Sequence, residues 1–334
     1  MKILIIGGTK FIGLAALRAL HADGHELAVL NRGKTEAELP EGVRRIVGNR
    51  DDMPAAREAI VDFGPEVVLH NVVSELAQVE GWIESCRDVA RRLVMTSSCD
   101  VYAPFGRLHG TEEGEPIEGL LDEDGPLRSV MHPYRAFIDD EDDPRWRYDK
   151  IPCERAVLSA DGFEGVVLRL PMVLGPGDPQ HRLHGWIRPM LDERPGIVLD
   201  EGLARWRSTY GFVEDCGRAL ATACTHEAAV GRTYNVGEHV LSTRELVEEV
   251  AAVLGWSGDV VERAAEELPE DLRAGFGVEH SLTIDARRLR EELGCMSPFS
   301  LRQVIEKTVA WERDNPPEPL PEPKYELEDE VLAG

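Results

Sequence analysis

Glycines 7, 8 and 13 stand between an apolar run and an amphipathic one, and they are the first residues whose types and spacing suggest a chemistry. Residues 3–6, Ile-Leu-Ile-Ile, read as a strand buried on both faces. Gly7-Gly8-Thr9 turns the chain, and residues 11–21 carry apolar side chains at helical spacing, with Gly24 as the stop. A helix that opens directly after such a turn offers free backbone N–H groups, which suit a pyrophosphate. The turn Gly7, Gly8, Thr9, Lys10, Phe11, Ile12, Gly13 is therefore expected to hold a dinucleotide. A second strand at 26–30 ends in Asn31-Arg32-Gly33. An acid there would accept hydrogen bonds from the adenine ribose hydroxyls. A neutral residue followed by arginine, with Lys10 across the turn, instead suits the extra 2′-phosphate of NADP. NADP is the expected cofactor, and NAD is the alternative.

GGTKFIG resembles the GGTGFIG turn of the extended and atypical short-chain dehydrogenase/reductases, the NAD(P)-dependent epimerase/dehydratase family. Gly7 and Gly13 match the ends of its GxxGxxG spacing, and Lys10 replaces the middle glycine. The resemblance implies an α/β protein: a Rossmann doubly wound parallel sheet with a smaller, partly discontinuous substrate domain. On this reading residues 1–172 form the dinucleotide-binding domain, to which 206–237 return. Residues 173–205 and 238–314 form the substrate domain, and 315–334 an acidic, Pro-rich tail. The implied activity is hydride transfer at a hydroxyl-bearing carbon of a small or sugar-nucleotide-like substrate. Retained cofactor gives epimerase or dehydratase chemistry, and released cofactor gives an NADP-dependent carbonyl reductase. A catalytically silent dinucleotide-binding regulator is the alternative of a different class.

The same resemblance nominates the reacting groups. TSSCDVY, residues 96–102, is similar to the family's SSxxVYG segment and makes Ser98 the residue that orients the reacting oxygen. Cys99 and Asp100 stand where the dehydratase branch carries acids, and only one of them is a carboxylate. In RWRYDKIPCERAVL, residues 145–158, Lys150 and Glu154 match KxxxE, with Lys150 as the ribose-holding lysine. Trp146 occupies the position of the tyrosine in YxxxK. Tyr148 is two residues before Lys150, about 200° away on a regular helix. Pro152 is tolerated in a first helical turn, so a helix starting near Lys150 would leave Tyr148 ahead of it. Tyr148 is the first choice of proton carrier, Tyr134 in HPYRAF the rival, and Asp100 the next. Residues 107–146, rich in Asp, Glu, Gly and Pro, are expected to form a surface loop or lid. PMVLGPGDP, residues 171–179, resembles the passage between the two domains. WRSTYGFVED, residues 206–215, resembles a segment whose arginine holds a substrate diphosphate. Ser208 takes that arginine's place, so Arg205 and Arg207 are the candidates, with a bulge bringing Arg207 inward.

Strands are expected at 45–48, 65–71, 92–97 and 165–170, alternating with helices at 54–63, 78–91 and 152–160, which implies right-handed crossovers and a parallel sheet. Asn49 and Arg50, after the third strand, fall at the adenine end. Further helices are expected at 184–192, after a Ser242/Glu245 capping box, and at 285–294 and 301–313. The tail is expected to wrap the surface or move freely. His181, His184 and Asp178 make an HxxH without a third strong ligand, and no metal is expected. The net charge of −25, from 62 acidic and 37 basic residues, opposes nucleic acid and anionic membrane as partners. No apolar run approaches the roughly 18 residues of a membrane span. Met1-Lys2 leads straight into a strand, so no signal peptide is expected, and six scattered cysteines suit a reducing cytoplasm. Family resemblance adds a homodimer paired through the helices at 78–91 and 152–160.

Overall fold

The computed structural model describes residues 1–34 and 37–333. The first six strands are β1 (Lys2–Ile6), β2 (Glu26–Asn31), β3 (Arg44–Val47), β4 (Val67–His70), β5 (Arg92–Ser98) and β6 (Glu164–Leu170). With β10 (Thr233–Asn235) they form a parallel seven-stranded sheet in the order β10-β6-β5-β4-β1-β2-β3. The order reverses between β1 and β4. There the strand ends diverge, and open sheets of this kind leave a crevice at that point.

Alternate residues of the strands face opposite layers of helices. On one face Ile3, Ile5 and Val94 pack with Leu17 and Leu20 of α1 (Phe11–Ala22) and Leu220 of α8 (Val213–Thr225). On the other, Leu4, Ile6 and Val68 pack with Ile60 of α2 (Arg57–Phe63), Trp82 of α3 (Leu76–Cys86) and Val157 of α5 (Lys150–Leu158). Both faces are covered, which is why these strands read as continuous apolar runs.

Two smaller sheets stand beyond β6. β7 (Met172–Leu174), β9 (Arg207–Phe212) and β11 (His239–Ser242) make one, and β8 (Gly196–Asp200) pairs β12 (Asp259–Arg263) in the other. The remaining helices are α4 (Ala103–Leu108), α6 (His184–Leu191), α7 (Glu201–Arg205), α9 (Thr243–Leu254), α10 (Arg287–Leu293), α11 (Leu301–Asp314) and α12 (Tyr325–Ala333). The Ser242/Glu245 capping box opens α9 as expected.

One expectation needs correction, and two others gain detail. α3 ends at Cys86 rather than 91, because the chain turns through Asp88 at φ +63°. The segment after β5, expected as a surface loop or lid, is laced to the body: Leu121 exchanges backbone hydrogen bonds with Thr283 and Asp285 at 2.9 and 2.8 Å, and Arg128 is buried. The tail carries α12, which docks beside β8. The Tyr325 hydroxyl donates to Asp192 at 2.7 Å, and Arg194 pairs with Asp329 and stacks on the Tyr325 ring. Among the described residues no helix is long and apolar enough to cross a membrane.

Candidate active site

The site forms where β1, β4 and β5 end. Gly7 has φ +84°, a left-handed conformation that glycine adopts without strain. A Cβ on Gly13 would lie 2.0 Å from the Gly7 carbonyl oxygen, so the first turn of α1 presses against the loop in a way only glycine permits. Lys10 takes the N-cap position in extended backbone (φ −143°), exposed, and no side chain caps the helix. Thr9 and Ile12 are half-buried beside it, and Phe11 opens the helix at φ +43°. An uncapped helix N-terminus behind a glycine cradle fits a dinucleotide pyrophosphate.

At the adenine end Asn31 Oδ1 accepts the Gly33 N–H at 2.8 Å, while its buried Nδ2 has no partner among the described residues. Arg32 is exposed. Asn49 Oδ1 accepts the Asp51 N–H at 3.3 Å, and Arg50 reaches across to donate to the Val72 carbonyl after β4. Asn49 is thus drawn into its own turn, and Arg50 bridges two strand ends.

Ser98, half-buried at the end of β5, accepts the Asp100 N–H at 3.2 Å. The Tyr148 hydroxyl donates to Asp100 Oδ2 at 2.5 Å. Lys150 is the first residue of α5, and its buried ammonium donates to the Thr96 carbonyl at 3.1 Å and to the Val73 carbonyl. Serine, aspartate, tyrosine and lysine therefore converge on the ends of β4 and β5. Tyr134 stacks edge-on against Tyr148, with ring centroids 5.1 Å apart, and its hydroxyl donates to none of the described groups.

The position of Tyr148 follows from how α5 starts. Asp149 is the N-cap and accepts the Ile151 N–H at 3.0 Å, and Pro152 falls in the first turn. Tyr148 lies outside the helix and is released from helical angular spacing. The other Asp149 oxygen accepts the His132 N–H at 2.7 Å, and Arg128 pairs with Asp149 at 3.2 Å, both side chains buried. Arg128 also donates to the Asp100 carbonyl. Neither Arg128 nor Asp149 was among the residues singled out from sequence. Asp-Lys-Ile-Pro does carry an N-cap signal for Asp149, whereas nothing local marks Arg128.

Burial sets the electrostatics. It pushes the Asp100 carboxyl above its ordinary range, against the opposing pull of the Tyr148 hydrogen bond and the Arg128 and Lys150 charges. Burial, followed by the Asp100 charge, raises Tyr148 well above a free phenol. Desolvation lowers Lys150. Behind the site Glu154 accepts the Ser97 hydroxyl at 2.5 Å and pairs with Arg169 at 2.7 Å, and Arg169 donates to the Tyr102 oxygen at 3.0 Å. The glutamate of the KxxxE pattern is here a buried anchor between β5 and β6.

The arginines proposed for a diphosphate lie elsewhere. Arg205 pairs with Glu201 at 3.1 Å, and Arg207 pairs with Glu245 at 3.1 Å and donates to the Val240 carbonyl. The expected bulge is not formed: residues 207–210 of β9 pair one-for-one with β11. His181 hydrogen-bonds Glu312 at 2.7 Å and Asp178 pairs with Arg182 at 2.6 Å. Among the described residues no group of three or more His, Cys, Asp or Glu is arranged to hold a metal.

Comparison with known proteins agrees with this architecture. Residues 3–237 match the model of the NAD dependent epimerase/dehydratase family. A 2'-dehydrokanamycin reductase of Streptomyces kanamyceticus is 28% identical over 280 residues, 81% of this chain and 72% of that protein. A dTDP-glucose 4,6-dehydratase of Neisseria gonorrhoeae is 35% identical, covering 94% of this chain and 96% of its own length. Among solved structures, Thermus thermophilus UDP-glucose 4-epimerase in complex with NAD superposes with a TM-score of 0.67 at 24% identity, covering 94% of this chain and all of that one.

Proposed function

This chain belongs to the NAD dependent epimerase/dehydratase family and is an enzyme of the extended short-chain dehydrogenase/reductase type, and we propose that Ser98, Tyr148 and Lys150 are its reacting group. The observation that carries this is the convergence of the three on the strand ends beside the glycine turn, with Tyr148 freed from α5 by the Asp149 cap. A nicotinamide cofactor, when bound, supplies the hydride acceptor or donor. Ser98 orients the substrate oxygen, and the Tyr148 hydroxyl exchanges a proton with it. Lys150 holds the ribose and, through the Val73 and Thr96 carbonyls, the two strand ends. Gly7, Gly8, Thr9, Lys10, Phe11, Ile12 and Gly13 cradle the pyrophosphate, and Asn31, Arg32, Asn49 and Arg50 line the adenine end.

The division into a dinucleotide-binding part, 1–172 with 206–237, and a substrate part, 173–205 with 238–314, belongs to the same reading. So do NADP as the preferred cofactor, a homodimer, a cytoplasmic setting and a small-molecule substrate rather than nucleic acid. A net reductase is favoured over a sugar-nucleotide dehydratase by two observations. Arg205 and Arg207 are drawn into surface pairs with Glu201 and Glu245, and Cys99 stands where a second acid would be needed. The test is incubation with NADPH or NADH and a panel of sugar nucleotides, amino-sugar ketones and small ketones, followed by cofactor absorbance and product mass. Carbonyl-dependent cofactor oxidation is expected. Protein that binds cofactor yet consumes none and converts no panel member would overturn the enzymatic reading.

A further inference from the structure

Tyr148 meets its lysine through the face of its ring, and among the described residues no hydrogen bond joins the ammonium to the phenolic oxygen. The Lys150 ammonium is 5.7 Å from the Tyr148 ring centroid and is committed to the Thr96 and Val73 carbonyls. The phenolic hydrogen points instead at Asp100 Oδ2, 2.5 Å away. Asp100 is held for this contact: Ser98 Oγ accepts its N–H, and the buried Arg128 guanidinium donates to its carbonyl oxygen. Its side chain is buried, and the second oxygen, Oδ1, has no hydrogen-bond partner among the described residues. A buried, unpaired carboxylate oxygen is costly as a charge, and the cost falls when the group takes up a proton.

We propose that Tyr148 and Asp100 form a two-step proton relay, in which Asp100 rather than Lys150 exchanges the tyrosine's proton. This rests on the reading of Tyr148 as the group that faces substrate. In the oxidation direction the substrate O–H bond breaks toward the Tyr148 oxygen as the Tyr148 O–H bond breaks toward Asp100 Oδ2. The carbon-bound hydrogen leaves with its electron pair to the oxidised nicotinamide. One hydride and one proton are thereby removed, and Asp100 later gives its proton to solvent. Reduction is the reverse: Asp100 carboxylic acid reprotonates Tyr148 as the tyrosine protonates the new alkoxide.

The groups facing Asp100 fit this role. Lys150 comes from the start of α5, Tyr148, Tyr134 and Arg128 from the segment before it, and Cys99 from the same turn. Arg50 lies beyond Lys150. The 2.5 Å contact sets the phenolic O–H directly against the carboxylate, and burial raises both groups, so a proton passing between them stays within one hydrogen bond. Oxidation requires ionised Asp100 and should rise with pH through its titration. Reduction requires the protonated form and should fall.

The first test needs neither substrate nor cofactor. Ultraviolet difference titration of the wild type against Tyr148→Phe isolates the ionisation of Tyr148. In an Asp100→Asn background it should move down by about one pH unit or more, because a neutral amide replaces the carboxylate. No movement would overturn the pairing. With a carbonyl substrate from the panel, Asp100→Asn should lose about 100-fold in kcat and the pH limb assigned to Asp100, with cofactor affinity unchanged. Asp100→Glu should restore part of both. Should the Asp100 variants not fold, a proton inventory on wild-type enzyme decides: a curved plot is expected for two protons in flight, and a linear one overturns the relay. Asp100→Asn at full rate beside an inactive Tyr148→Phe would overturn the relay alone. Tyr148→Phe at full rate would overturn the reading on which it rests.

Discussion

The hydroxyl of Tyr148 is the group we propose exchanges the substrate's proton. Tyr148→Phe should lower turnover by at least about 100-fold in steady-state assays while leaving cofactor affinity unchanged. Tyr134→Phe should stay active, since Tyr134 offers Tyr148 a ring edge and donates no hydrogen bond to it. Lys150→Met should abolish turnover and weaken cofactor binding. It also removes the buried hydrogen bonds to the Thr96 and Val73 carbonyls, so a lower melting temperature is expected, reflecting about 1–3 kcal/mol per bond lost. Lys10 and Arg32 are exposed cations without ion-pair partners among the described residues. We expect NADPH to bind more tightly than NADH by on the order of 2 kcal/mol, about thirtyfold, and Arg32→Glu to reverse the order in a fluorescence titration. The glycine turn was read from residue types and spacing, and Ser98, Lys150 and Tyr148 were nominated by the resemblance; the structure brings those three side chains to neighbouring strand ends, with Tyr148 outside α5. The Asp100 contact was not legible, because it joins residues 48 positions apart through a segment with no periodic pattern.

Between β5 and α5 the chain makes its long excursion, and one buried ion pair closes it. Arg128 binds both the Asp100 carbonyl and the Asp149 carboxylate, tying the middle of the excursion to its two ends. Arg147 adds a salt bridge to Glu75 at the start of α3. Removing one partner of a buried pair costs about 3–5 kcal/mol, because the other charge is stranded. Arg128→Ala should therefore lower stability by that order in denaturant melts. It should also expose residues 129–147 to limited proteolysis and lower kcat more than it raises the cofactor Kd. The composition of this stretch, acidic and rich in Gly and Pro, suggested a surface loop. The clasp was hidden because Arg128 stands alone in sequence. The main sheet was read closely, since strands covered on both faces leave unbroken apolar runs. The helix α12 was not read, because a Pro- and Glu-rich stretch precedes it; it lies on the surface with Tyr325, Leu327, Val331 and Leu332 half-buried and with the Arg194 contacts beside them.

At the scale of the whole molecule, α3 and α5 lie side by side on one face of the sheet. Their outward surfaces mix Leu76 and Leu158 with Glu80, Glu84 and Arg155. A homodimer through these helices is expected to give twice the chain mass by light scattering, and Leu158→Lys should shift it toward monomer. A monomer mass for the wild type at working concentration rejects the arrangement. The large negative charge is consistent with such pairing only if Arg155 faces a partner carboxylate, so dimerisation should respond to salt.

The clasp at Arg128 has a wider meaning for how such a chain can change. Because Asp100 and Asp149 are drawn to one guanidinium, the excursion leaves and rejoins the sheet at nearly the same place. It behaves as a cassette: its interior can lengthen, shorten or be exchanged while the strand order and the glycine turn stay as they are. Grafting residues 101–148 into a related scaffold would carry over Tyr148, the proposed proton carrier, together with the residues packed around it. A lineage could thus acquire a new specificity and relocate its proton donor in one insertion, without altering the framework that holds the cofactor.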